Sequence, residues 1–211
     1  MLLLSVSEPM PAVAVKRTVL SRRLLLMMME KRTYSEPVAI NAKIVYPFVR
    51  LRHFKLLTNL LEQVKMRHIH TAIEMCGNAP YKALQMAAPF LDVILFDIKS
   101  MDTQKHKEYT GWGNEQILEN LTALCRDFPA ISKCVRTPVI PGFNDTPEEI
   151  QAIRTFLQQF SNVSYEALPY HEFGRGKYKA LGRPYPMGDV KLRDEMREYI
   201  ETINAQGLTA R

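Results

Sequence analysis

The first glycine of this 211-residue chain is Gly77, and the first aspartate is Asp92. At an ordinary frequency of about 7%, roughly five glycines would precede that position. Glycine and aspartate are residues of tight turns. The opening part of the chain therefore lacks the chemistry on which strand–turn–helix folding depends. Cysteine is scarce as well: Cys76, Cys125 and Cys134 are the only three. They are too few and too scattered for a disulfide scaffold, and they point to a reducing, cytoplasmic setting. No apolar run reaches the ~18–20 residues that cross a bilayer, so no membrane span is expected. Neither GxGxxG nor GxxxxGKS/T occurs, which removes the usual nucleotide fingerprints.

Charge is unevenly spread. Residues 1–54 hold nine Lys/Arg and three Glu, while the rest holds 19 basic and 19 acidic residues. The net charge of +6 thus belongs to one end. A nucleic-acid partner is not expected, because the main domain is neutral. Segments such as LSRRLLLMMMEKR and INAKIVYPFVRLRHF are basic, apolar and nearly free of turn residues. The start MLLLSVSEPMPAVAVKR has no basic region before its apolar part, unlike a secretory signal. A mitochondrial presequence is an alternative on arginine content. The expected division is an atypical segment at 1–53, read either as a poorly specified N-terminal extension or, in the favoured reading, as the result of a frame disruption or a misplaced start, and a regular domain at 54–211.

From residue 54 the pattern is regular. FKLLTNLLEQVKMR has helical leucine spacing, and IHTAIEM reads as a strand. Pro80 opens a short helix over YKALQMAA. LDVILFDIK reads as a buried strand, short and branched. Asp102 or Thr103 caps a short helix through Tyr109. A helix from Asn114 stops near Pro129. ISKCVRTPVI is a strand interrupted at Pro138. Thr146-Pro147-Glu148-Glu149 starts a helix to about Phe160. VSYEALPY is a strand, HEFGRGKYKALGRPYP a long polar loop, and DVKLRDEMREYIETINAQ a final helix ended by Gly207. Strict alternation predicts an α/β fold with a parallel sheet, either doubly wound or all or part of a (β/α) barrel.

In both architectures function gathers at the C-terminal strand ends. The four strands end near Glu74, near Asp97 and Lys99, beyond Arg136, and before His171 and Glu172. Strand periodicity aims Asp97 and Lys99 the same way. The set Glu74, Asp97, Lys99, Arg136 and His171 would line one mouth with both signs of charge, which suits a zwitterionic or polyanionic small ligand. A structural salt-bridge cluster is the plain alternative. Cys125 reads as core, Cys134 as buried in a strand, and Cys76 as able to face the mouth. His68 and His70 have a metal-pair spacing, but His68 more naturally ends the preceding helix, and no metal site is expected.

The stretches HTAIEMCG, DVILFDIKSMD, VRTPVIPGFND and LPYHEFGRGKYKALG, in that order, resemble the C-terminal two-thirds of glycyl-radical-enzyme activating enzymes, the radical S-adenosylmethionine (SAM) proteins of the pyruvate formate-lyase activase type. The resemblance covers roughly residues 54–211. It implies a partial (β/α) TIM-like barrel with N-terminal strands missing or altered. It implies SAM and a 4Fe–4S cluster as cofactors, and a glycyl radical enzyme as protein substrate, activated by hydrogen abstraction from a backbone glycine. It also implies an electron donor such as flavodoxin or ferredoxin. By motif, Glu74 and Asp97 would lie near the methionine end of SAM. Lys99 and Arg136 would line the cofactor and the radical path, as the candidate catalytic pair. His171 would pack near the adenosine.

The departures bear on activity. The family holds its cluster with three cysteines in CxxxCxxC, and this chain has no such motif. The GGE segment expected upstream of residue 54 has no counterpart, and Met75 stands where Thr is usual. About two strands of the expected six would be absent, leaving a sheet edge uncovered. Three functions stay open on the sequence: an activase by descent that is inactive as this chain; a non-catalytic remnant that binds the glycyl-radical partner or SAM; and a Schiff-base (β/α) barrel lyase using Lys99.

Overall fold

The computed structural model describes the backbone of residues 2–5, 40–43, 51–172 and 174–208, and side chains from residue 57 onward within those ranges except at 177. Most of the 1–53 segment, with the frame disruption expected there, lies outside the described residues. In chain order the elements are strands β1 (Leu2–Ser5) and β2 (Ile40–Lys43), helix α1 (Leu51–Lys65), β3 (Thr71–Met75), α2 (Tyr81–Ala87), β4 (Val93–Asp97), α3 (Thr103–Thr110), α4 (Glu115–Asp127), β5 (Ser132–Val139), α5 (Pro147–Leu157), β6 (Val163–Pro169), α6 (Arg175–Ala180) and α7 (Asp194–Gln206). They fall into two units, one of Met1–Phe96 with Glu115–Lys133, the other of Asp97–Asn114 with Cys134–Arg211.

In the first unit, α1 buries Leu57, Leu60 and Leu61, the stripe that its leucine spacing sets up. The chain leaves α1 through His68, which has a φ of 57°, so His68 does end this helix. β3 and β4 pair in parallel, from Ala72 opposite Val93 to Met75 opposite Phe96. Alternation along β4 buries Ile94 and Phe96 fully and leaves Val93, Leu95 and Asp97 half-buried. The sheet order here is β2-β1-β3-β4. β1 runs parallel to β3, with Leu2 opposite Thr71. The edge expected to be uncovered at β3 is therefore paired, because strand pairing asks only for free backbone donors and acceptors. Asp92 ties the strand starts together: its carboxylate accepts from the Thr71 amide at 2.8 Å and pairs with Lys65. Burial alone would raise this carboxyl, but the bonds from Lys65 and Thr71 outweigh that and hold it below the usual range.

In the second unit β5 and β6 are neighbours joined through α5, the connection of a parallel pair. Val135, Thr137 and Val139 of β5 are fully buried, whereas Cys134, Arg136 and Pro138 on its other face are half-buried. Both α5 and α7 pack on β6, and Ile150, Ile153, Leu157, Ile200 and Ile203 form that core. Asn204 of α7 accepts from the Ala167 amide at 2.9 Å and donates to the Ala167 carbonyl at 2.9 Å. The Arg154 guanidinium donates to the Gly207 carbonyl at 2.8 Å, where the chain leaves α7. Asp102 caps α3 by accepting from the Lys105 amide at 2.9 Å. Thr146 caps α5, with Pro147 in its first turn.

Three boundaries differ from expectation. β5 continues through Pro138, since a missing amide removes one bond on one side only, and the Pro138 carbonyl is still satisfied by Asn144 at 3.0 Å. The polar loop after β6 contains the short helix α6. The final helix starts at Asp194, not Asp189, with Arg193 as its N-cap. The α/β class stands. Among the described residues, no helix is long and apolar enough to cross a membrane.

Candidate functional site

Asp97 is the last residue of β4 and faces the half-buried side of that strand. Its Oδ1 accepts from Arg136 Nη2 at 3.1 Å, and its Oδ2 lies 3.7 Å from Lys99 Nζ. The three side chains are 19%, 15% and 17% exposed in the order Asp97, Arg136, Lys99. One carboxylate thus lies between two cations in a poorly solvated place. The set carries one net positive charge, and charge-assisted hydrogen bonds to a guanidinium are among the stronger ones a site can offer. Cys134 and Arg136 share the half-buried face of β5. Burial raises the Cys134 thiol, and the Glu166 and Asp97 carboxylates push it further, against a bond from Ser164 and the charge of Arg136.

The backbone beneath this cluster is fixed from several sides. The Ile98 amide donates to the Arg136 carbonyl at 3.0 Å, and the Thr137 hydroxyl donates to the Ile98 carbonyl at 2.8 Å. The Lys99 carbonyl accepts from Asn144 Nδ2 at 2.6 Å. The Ser100 hydroxyl, fully buried, donates to Glu149 at 2.9 Å and accepts from the Asp102 amide at 3.1 Å. The Ser100 carbonyl accepts from the Asn114 amide group at 2.8 Å, and Glu149 also pairs with Lys105 at 2.6 Å.

Of the residues predicted from sequence, the structure brings Asp97, Lys99 and Arg136 together. Arg136 lies mid-strand in β5, three residues before its end. Glu74 belongs to the first unit, half-buried at the penultimate position of β3. His171 is exposed, two residues beyond β6. Its neighbours are both tethered: the Tyr170 and Tyr185 hydroxyls are 2.7 Å apart, and Glu172 binds Arg175 through two bonds at 2.9 and 3.0 Å. Asn144 and Ser100 were missed. Their signal was a polar residue inside otherwise ordinary turn sequence, PGFND and KSMD, which composition does not separate from a solvated turn.

The loop after β3 is built around close approach. Gly77 has a φ of +75°, and a Cβ there would meet the Phe96 ring at 2.2 Å. Buried Asn120 donates to the carbonyls of Gly77 and Ala79 at 2.7 and 2.8 Å. Cys76 in this loop is buried. Cys125 is core, as expected, and burial pushes its thiol up to about 11. Cys134 is half-buried rather than buried. Among the described residues no three His, Cys, Asp or Glu side chains form a metal-holding group. A 4Fe–4S cluster needs three thiolates brought together, and the cysteines at 76, 125 and 134 do not fit it. Two surface grooves, one along α5 with Tyr199 and one around Leu91 and Phe128, do not include the charged cluster.

No family model matches the chain. Curated proteins do. It is 47% identical over 147 residues to an isethionate sulfite-lyase activating enzyme of Nitratidesulfovibrio vulgaris, covering 70% of this chain and 48% of that one. A (2S)-3-sulfopropanediol sulfolyase activating enzyme of Bilophila wadsworthia is 48% identical over 63% of this chain and 44% of its own length. A choline trimethylamine-lyase activating enzyme of Oleidesulfovibrio alaskensis is 37% identical over 68% of this chain and 47% of its own. The chain thus spans about half the length of the curated relatives it matches. In structure, it is similar to a domain of a pyruvate-formate lyase-activating enzyme from Bacteroides vulgatus, with a TM-score of 0.57 and 22% identity over 74% of this chain and 88% of that domain. That likeness speaks for the fold.

Proposed function

We propose a function from one premise: over about half of their length, the glycyl-radical-enzyme activating enzymes are homologues of this chain. By descent it belongs to the machinery that activates a glycyl radical enzyme with SAM. These 211 residues supply a ligand-facing part of that machinery and not its cluster ligands. The observation that carries the reading is the half-buried Asp97, Lys99 and Arg136 cluster. SAM is a zwitterion at its methionine end. A guanidinium and an ammonium suit its carboxylate, and a carboxylate suits its amino group. When bound, SAM supplies a sulfonium carrying a 5′-deoxyadenosyl group. Arg136 and Lys99 would orient its carboxylate, and Asp97 would hold both cations in place.

The three cysteines do not assemble a 4Fe–4S cluster, so no reductive step is assigned to this chain. The protein partner is a glycyl radical enzyme. Relatives named for sulfonate lyases, at 43–48% identity, outrank those named for choline and 4-hydroxyphenylacetate enzymes at 36–38%. A carbon–sulfur lyase is therefore the partner best supported.

Isothermal titration with S-adenosylhomocysteine tests the ligand. Wild type should bind, and Arg136→Ala should weaken binding about tenfold, equivalent to ~1.4 kcal/mol. Absence of heat with folded wild-type protein at millimolar ligand would sink the proposal.

A further inference from the structure

We propose that Asn144 is a positioning residue for Lys99, setting the direction of its ammonium toward Asp97. The proposal rests on Asp97, Lys99 and Arg136 being the ligand-facing cluster. Asn144 is 1% exposed and lies in the turn after β5. Its Nδ2 donates to the Lys99 carbonyl at 2.6 Å and to the Pro138 carbonyl at 3.0 Å. Its Oδ1 accepts from the Ile140 amide at 2.7 Å. One side chain therefore spends two donors and an acceptor on three backbone groups.

Only a primary amide of this length has that inventory. Aspartate lacks the donors, serine has one, and glutamine is longer by a methylene. The Lys99 carbonyl and its side chain leave the same Cα. Pinning the carbonyl restrains the backbone rotation at Lys99, and with it the direction in which the four-carbon stem begins. Lys99 Nζ sits 3.7 Å from Asp97 Oδ2, near the limit of an ion pair, so a small rotation at Cα separates the two. Neighbouring Ser100 is held from below by Glu149. Asn144 supplies a bond on Lys99 itself, and it links Lys99, two residues beyond β4, to Pro138 near the end of β5.

The test is the reactivity of Lys99. Limiting acetic anhydride is applied to wild type, Asn144→Asp and Asn144→Ser, well below each melting temperature. Acetylation at Lys99 is read by peptide mass spectrometry against exposed Lys191. Loss of the clamp should free the ammonium and raise the Lys99-to-Lys191 ratio about fivefold, the factor of one ordinary hydrogen bond. An unchanged ratio in a variant that melts cooperatively at lower temperature assigns Asn144 to stability alone and overturns the proposal. Should the Asp variant not fold, the Ser variant, which keeps one donor, gives the same reading. The labelling involves no SAM. Its failure therefore leaves the proposed function standing, and failure of S-adenosylhomocysteine binding leaves the labelling result intact.

Discussion

A methyl group added at Gly77 would lie 2.2 Å from the Phe96 ring, on a backbone with φ of +75°. Phe96 is fully buried and cannot step aside. Both effects oppose substitution, the first as overpacking and the second as strain. Gly77→Ala should cost about 2–4 kcal/mol, read as a lower urea midpoint with an unchanged slope. A loss below ~0.5 kcal/mol would show that the loop moves freely. At this scale the sequence was readable where a simple period governs. Asp97 and Lys99, two apart, do come together, although β4 ends at Asp97 and Lys99 lies two residues beyond it. Asn144 and Ser100 were not readable, since their importance comes from backbone groups brought to them by the fold. Cys134 was misjudged because a buried strand has two faces, and only the face with Val135 and Thr137 is fully covered.

Among the elements, the capped helices were legible in advance. Asp102 sits before TQKHKEYT and Thr146 before Pro147, and both side chains accept the amide three residues on. Asp102→Ala should lower stability by about 1 kcal/mol, while Asp102→Asn should be nearly neutral. Equal losses for both in thermal unfolding would mean that the charge, not the cap bond, matters. Helix α6 was not legible. Gly174 and Gly176 disfavour a helix there, and besides a local bond to Glu172 the segment is held by more distant partners: Arg175 bonds Asp189 and lies 4.9 Å over the Tyr185 ring. The late start of α7 has a similar cause. Leu192 is buried, and Arg193 donates to the Asp145 carbonyl at 3.0 Å, so tertiary contacts hold the preceding residues out of the helix.

For the molecule as a whole, acid is the informative stress. The carboxyl of Asp92 is held low in the folded state by Lys65 and Thr71. A depressed folded pKa gives stability that is complete above the unfolded value, near ~3.9, and that is lost as pH falls through the folded one. Unfolding free energy should therefore decline below about pH 4, and Asp92→Asn should flatten that decline. An identical acid limb in the variant would assign it to other carboxylates. Assembly is constrained by a different feature. β6 ends the strand order, and at Ala167 both backbone groups already face the side-chain amide of Asn204. An incoming strand would need those same two groups. The final helix thus acts as a chain stopper, and fibrous growth of copies through β6 is blocked from within the chain.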